Sequence, residues 1–217
     1  IMQYATSLKG WIMVFSFLMS AWAIADATAA SADVPRPEHP RPQVVRPEWH
    51  TLNGSWQFAE SDDTTQFLGD AKYPDTINVP FCRESELSGL GRKGFVKNVW
   101  YRRTFNVPED WKSPRIRLHV GACDWRATVW VNDQAIGQHT GGSAAFAFDI
   151  THALNPGENT IIIHAYDDTA SGLQATGKQS HQLESYSCLY TRTTGIWQSV
   201  WLEGVGSSFV KQYSVTP

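Results

Sequence analysis

Apolar and polar positions alternate most densely between Arg115 and Asp168. In RIRLHV the apolar Ile116, Leu118 and Val120 alternate with Arg115, Arg117 and His119, the two-residue period of a strand with one buried face. ATVWV continues the pattern. Asn132-Asp133, two residues that tolerate positive φ, interrupts it before QAIGQH, which predicts a hairpin. Phe146, Phe148 and Ile150 alternate again, Asn155-Pro156-Gly157-Glu158-Asn159 is a surface turn, and IIIHAY is a β-rich run too short for a comfortable helix. Around this stretch, TLNGSWQFAES places Trp56 and Phe58 on one face after an Asn53-Gly54 turn, and TINVPF is a short strand. VWYRRTFNVP sets Trp100, Arg102 and Thr104 against Val99, Tyr101, Arg103 and Phe105, and TGIWQSVWLE closes the pattern. No amphipathic helical window exceeds a few turns. About eight short strands between Gly, Pro and Asn turns, without helical crossovers, predict an all-β, two-sheet β-sandwich of jelly-roll topology.

The two ends read differently. In residues 1–30, Lys9 precedes an apolar run from Trp11 to Ile24, followed by the small-residue steps Ala23-Ile24-Ala25 and Ala27-Thr28-Ala29. That is the pattern of a signal peptide, and the run is shorter than the ~20 residues that span a membrane. A secreted or periplasmic protein, free of the membrane after cleavage, is therefore expected. Residues 31–47 carry five prolines and read as an extended linker. The jelly roll is expected over 48–205, and 206–217 as the start of a linker to a following domain.

With 217 residues, 42% of them apolar and 18% charged, the chain holds one globular domain with flanking segments; disordered and collagen-like classes are excluded. A net charge of -3 without charge runs gives no footprint for nucleic acid or an anionic membrane. Ten Trp, seven Tyr and ten Phe fit a β core built on flat side chains, or platforms that stack on sugars. Cys82, Cys123 and Cys188 form neither a CxxC nor a Cys/His cluster, so all three are read as buried small apolar residues, with no metal and no cofactor.

Three motifs are weighed for chemistry. Gly89-Leu90-Gly91-Arg92-Lys93-Gly94 spells a dinucleotide fingerprint but opens into a strand, where no helix N-terminus can face a pyrophosphate. Asn53-Gly54-Ser55 matches a glycosylation acceptor, yet the turn accounts for it. Among the paired carboxylates, Asp62-Asp63, Glu84 with Glu86 and Asp167-Asp168 all sit in loops or at strand ends, and adjacent strand residues point to opposite faces. None forms the facing pair that glycoside cleavage uses. His119 and His164 read as outward or hydrogen-bonded residues rather than ligands.

The order VPF, ESELSGLG, NVWYRRTF, RIRLHVGACDW, ATVWVN, IGQHTGG, PGENT, GKQ and LYTRTTGIWQSVWLE, from about Thr51 to Glu203, resembles the N-terminal sugar-binding domain of glycoside hydrolase family 2, the family of β-galactosidases, β-glucuronidases and β-mannosidases. The resemblance implies a galactose-binding-like jelly roll packed on an immunoglobulin-like sandwich and a TIM barrel that carries the catalytic glutamates. No catalytic residue is then expected here. The implied role is that of a non-catalytic domain of a secreted retaining exo-β-glycosidase hydrolysing O-glycosyl bonds. The domain would support the barrel and the rim of its substrate pocket, with carbohydrate as ligand and further domains of the same protein as partners. On the family pattern a sugar-contacting carboxylate lies six positions before Gly195, where this chain has Leu189. Asn98, ahead of Val99-Trp100-Tyr101, falls where the family loop approaches the barrel and is a candidate sugar-binding residue or a turn cap. Arg192, just before the closing strand, is a candidate for the site or a surface ion pair. Ser143-Ala144-Ala145 and Asp133 depart from the family's aromatic-proline and glycine. A free-standing carbohydrate-binding module, and a domain that only mediates subunit contacts, are the alternatives.

Overall fold

The computed structural model describes residues 34–63 and 66–216. The segment read as a signal peptide lies outside the described residues. Among the described residues there are twelve strands: β1 (Trp49–Thr51), β2 (Gly54–Ser61), β3 (Asp75–Val79), β4 (Asn98–Asn106), β5 (Arg115–Val120), β6 (Cys123–Asp124), β7 (Arg126–Val131), β8 (Gln134–Thr140), β9 (Phe146–Asp149), β10 (Glu158–Tyr166), β11 (Gly195–Ile196) and β12 (Val200–Val205). They form a four-stranded sheet ordered β1-β12-β5-β9, a six-stranded sheet ordered β3-β2-β4-β10-β7-β8 and a small β11-β6 pair, with every strand pairing antiparallel. This is the β-sandwich that the alternation predicts.

The inner faces supply the core. Trp56, Phe58, Val99, Tyr101, Val129, Ile161 and Ile163 from the six-stranded sheet pack with Ile116, Leu118, Val120, Val200 and Leu202 from the four-stranded one. All are buried, and each large side chain contributes about 1.5–3 kcal/mol by leaving water. Two polar groups of this core are matched: Trp56 Nε1 donates to Leu52 O at 2.7 Å, and Tyr101 Oη accepts from Ile196 N at 3.1 Å. The predicted hairpin joins β7 to β8, with Asn132 at φ 49° and Asp133 at φ 62°.

The Asn53-Gly54 turn is the corner where the chain leaves one sheet (β1, paired with β12) for the other (β2, paired with β3 and β4). The buried Asn53 amide holds that corner, donating to Pro35 O, Arg36 O and Ser199 Oγ and accepting from Val200 N. The proline-rich residues 35–46 lie against the sandwich: their carbonyls accept from Asn53, the His39 ring packs edge-on against Trp49 and Arg46 pairs with Glu203 at 2.9 Å. One expectation is corrected. Only Cys123 of the three cysteines is buried; Cys82 is half-buried and Cys188 is exposed in a polar loop, because no apolar pattern surrounds it.

The outer face of the six-stranded sheet carries a second apolar cluster. Ala59, Trp100 and Ile162 lie there with Phe67, Leu68, Tyr73 and Trp130. Strand parity dictates it: on β4 and β10 the odd positions face the core, so 98, 100, 162, 164 and 166 face out.

Candidate functional site

Register builds a groove on that outer face. Tyr166 on β10 stands opposite Asn98 on β4 and Arg126 on β7; one pleat along, His164 stands opposite Trp100 and Thr128; and Ile162 stands opposite Trp130. All of these side chains except the buried Ile162, together with Asp62, Asp63 and Lys97, line a groove of about 640 Å³. Trp100 is 3% exposed because it is sandwiched, its ring 4.2 Å from His164 and 5.7 Å from Trp130, both stacked. Arg126 lies over the Tyr166 ring at 4.9 Å. The floor is thus flat and aromatic and the walls are polar, a combination that suits the C–H faces and hydroxyls of a sugar.

Asn98 stands in this groove with both ends of its amide engaged. Nδ2 donates to Asp63 O at 2.9 Å, and Oδ1 lies 2.9 Å from His164 Nε2. Burial, aided by the charge of Arg126, lowers His164 to about 4, so the ring is neutral near pH 7 and donates its Nε2 proton to Asn98. Asn98 therefore orients the histidine and ties the loop at Asp63 to β4.

Arg192 is placed elsewhere. Its guanidinium is buried beneath the segment 169–194, where Nη1 donates to Gln182 O at 2.6 Å and Ser180 O at 3.3 Å and Nη2 donates to Lys93 O. It also stacks over Phe95 at 3.9 Å. The structure does not bring Arg192 and Asn98 to one surface: Arg192 spends its donors on backbone carbonyls and shapes a loop. Leu189 sits in the tight turn Tyr186–Leu189 of the same segment.

Under that segment lies a carboxylate cluster that the pairwise scan of the sequence misses. Asp124 and Asp167 are 6% and 2% exposed. Asp124 Oδ2 accepts from Gln179 Nε2 at 2.8 Å and Asp167 Oδ1 from Gln174 Nε2 at 2.6 Å, while Asp124 Oδ1 and Asp167 Oδ2 are buried with no hydrogen-bond partner among the described residues. Burial, reinforced by the Asp124 charge, pushes Asp167 up to about 7; burial, opposed by the Gln179 hydrogen bond, pushes Asp124 up to about 6. Glu84 is buried nearby and accepts from Thr194 N at 3.1 Å. Their sequence neighbours point elsewhere: Asp168, just past β10, pairs with Lys97 at 3.0 Å, and Glu86 lies outside the buried set. The one sequence signal for Asp124 is a charge inside the apolar run of Ala122, Cys123 and Trp125. Among the described residues no group of three or more His, Cys, Asp or Glu side chains has the geometry of a metal site.

Comparison with known proteins adds to this geometry. Residues 52–203 match the family model described as glycosyl hydrolases family 2, sugar binding domain. The chain is 32% identical over 130 residues to a beta-glucuronidase of Paenibacillus borealis, covering 57% of this chain and 22% of that protein. It is 30% identical over 129 residues to a beta-galactosidase of Arthrobacter sp. (strain B7), covering 57% of this chain and 12% of that protein. Among solved structures, the crystal structure of Bacteroides uniformis beta-glucuronidase matches 73% of this chain and 18% of its own, with a TM-score of 0.55 and 25% identity. The match thus spans less than a quarter of each of these relatives.

Proposed function

We propose, for a chain that belongs to glycosyl hydrolases family 2 through its sugar-binding domain, that it serves a secreted or periplasmic, retaining exo-β-glycosidase as a non-catalytic domain. In this reading it packs on a catalytic barrel elsewhere in the protein and lends its loops to the rim of the substrate pocket. The observation that carries the reading is the family match over 52–203, nearly the whole sandwich. Two features support it. The clustered carboxylates Asp124, Asp167 and Glu84 are buried under a loop, whereas glycoside cleavage needs two carboxyls flanking an accessible bond. And the segment 169–194 exposes large apolar side chains, with Leu173 at 91% and Tyr190 at 59%, surface that packing against another domain would cover.

The test is to express the open reading frame that encodes this chain, alongside residues 1–217 alone, and assay both with aryl β-glucuronide, β-galactoside and β-mannoside. The full product should hydrolyse one of them with retention at the anomeric carbon, followed by NMR, and should appear outside the cytoplasm with a processed N-terminus. Turnover by the 217-residue chain alone, or inversion, would refute the reading. A second reading, a free-standing carbohydrate-binding module, draws on the aromatic groove around Trp130 and Tyr166. It requires the isolated chain to bind neutral β-glycans with a loss of affinity in Trp130→Ala; calorimetry without heat would remove it.

A further inference from the structure

The outer face of the other sheet holds an unbalanced set of cations. Alternation on β5 turns Arg115, Arg117 and His119 outward, and register places Arg117 between Glu203 on β12 and Asp149 on β9. Both acids are already engaged. Glu203 accepts from Arg46 Nε at 2.9 Å and Trp201 Nε1 at 2.8 Å and faces His119 at 3.3 Å. Asp149 accepts from Arg115 Nε at 2.7 Å and from Thr151 N and Oγ1. Arg117 is left, among the described residues, with no side-chain hydrogen bond or ion pair, its guanidinium 5.1 Å from the Phe209 ring. Arg46 and Arg115 stand 5.4 and 5.7 Å from the same ring, so three guanidinium groups crowd one phenyl group. Arg41 and Lys211 add two further cations to a pocket of about 460 Å³ between the 35–46 and 207–212 segments; neither has an ion pair among the described residues. Burial draws the Arg117 pKa down, the electrostatic signature of a desolvated charge whose nearby acids do not compensate it. In a chain of net charge -3, this concentration of positive charge is local.

We propose that this pocket binds the oxyanion of an acidic sugar, a uronate carboxylate or a sulfate ester. The planar Arg117 fork donates two parallel hydrogen bonds to a carboxylate or sulfate, with Arg41 and Lys211 supplying further charge. Phe146 and Phe209, both half-buried, provide apolar surface for the ring that carries the anion, a lining that free phosphate or sulfate does not need. The site lies on the sheet opposite the aromatic groove. It rests on membership of a sugar-binding family but not on the glycosidase reading.

Calorimetric or NMR titration of the 217-residue chain with D-glucuronate, D-galactose 6-sulfate, inorganic sulfate and D-glucose tests it. Glucuronate and the sulfated sugar should bind, more weakly as ionic strength rises, with glucose silent. Arg117→Gln should weaken binding at least about tenfold, the value of one charge-assisted hydrogen bond. Lys211→Gln, on an exposed side chain that no fold contact needs, should weaken it less, and Trp130→Ala in the groove should leave it unchanged. Equal binding of glucose, binding of inorganic sulfate alone, undiminished binding in both charge variants or no binding by either acidic sugar would each overturn the assignment. The glycosidase assay is read separately and stands or falls on its own result.

Discussion

The buried Asp167 makes stability depend on pH in a direction that can be worked out beforehand. A carboxyl whose folded pKa is raised from the ordinary 3.8 to about 7 is protonated in the folded chain while the unfolded chain has released its proton. Stability from this group is complete below the unfolded value and is lost as pH rises through the folded one, at about 1.4 kcal/mol per unit, or about 4 kcal/mol in all. His164 works the other way. Its folded pKa of about 4 lies below the ordinary 6.5, so its contribution is complete above the unfolded value and is lost as pH falls through about 4. The two slopes oppose each other in the parent chain, which is why the readout is a difference. Asp167→Asn keeps an oxygen to accept from Gln174 Nε2 and removes the titration. Its stability minus that of the parent should rise by about 2–3 kcal/mol between about pH 5 and pH 8, measured by urea unfolding followed through tryptophan fluorescence. A difference that is flat or falls with pH would refute the claim that this carboxyl is protonated when folded.

Gly142→Ala is expected to cost about 1–3 kcal/mol in the same assay, since its new Cβ would overlap the Asp124 carboxyl held by Gln179; an unchanged midpoint would mean that the cluster has slack. Arg192→Ala removes the donor to three carbonyls and should speed amide hydrogen exchange at Ser180 and Tyr190, which bridge the base of the loop, by at least about tenfold without unfolding the sandwich; parent-like exchange would refute a structural role for the arginine. Glu203→Leu strips the buried partner from Arg46 and His119 and should destabilise by about 3–5 kcal/mol. Trp56→Ala opens the centre of the core and should cost about 3–5 kcal/mol, read as a lowered Tm.

Local alternation carried most of the fold, because a strand declares its buried face every second residue. The inward Ile116, Leu118 and Val120 and the turn at Asn132-Asp133 were legible for that reason. The same parity separated Trp100 from Val99 and Tyr101 without telling which set faces out; that, and the neighbours of Trp100, come from register, which sets it beside His164 and Thr128 across residues far apart in sequence. The hydrogen bonds of Asn98 were not legible, because Asp63 and His164 lie far from it in sequence. Nothing local tells that the carbonyls of Lys93 and Gln182 converge on Arg192. Asp124 and Asp167 escaped because pairs were sought among sequence neighbours, whereas one belongs to β6 and the other follows β10 directly.

The pairing of β1 with β12 has a mechanical consequence. Trp49 lies opposite Glu203 and Thr51 opposite Trp201, so the chain enters and leaves the sandwich side by side at one end of an antiparallel pair. Tension applied between the flanking segments pulls on that pair in the unzipping direction, loading its ladder bonds one after another instead of together. The clasp across the mouth of this zipper is Arg46, which grips Glu203 through Nε and the Val210 carbonyl through Nη2. Severing that clasp should lower the force at which the domain yields by more than its share of the equilibrium stability.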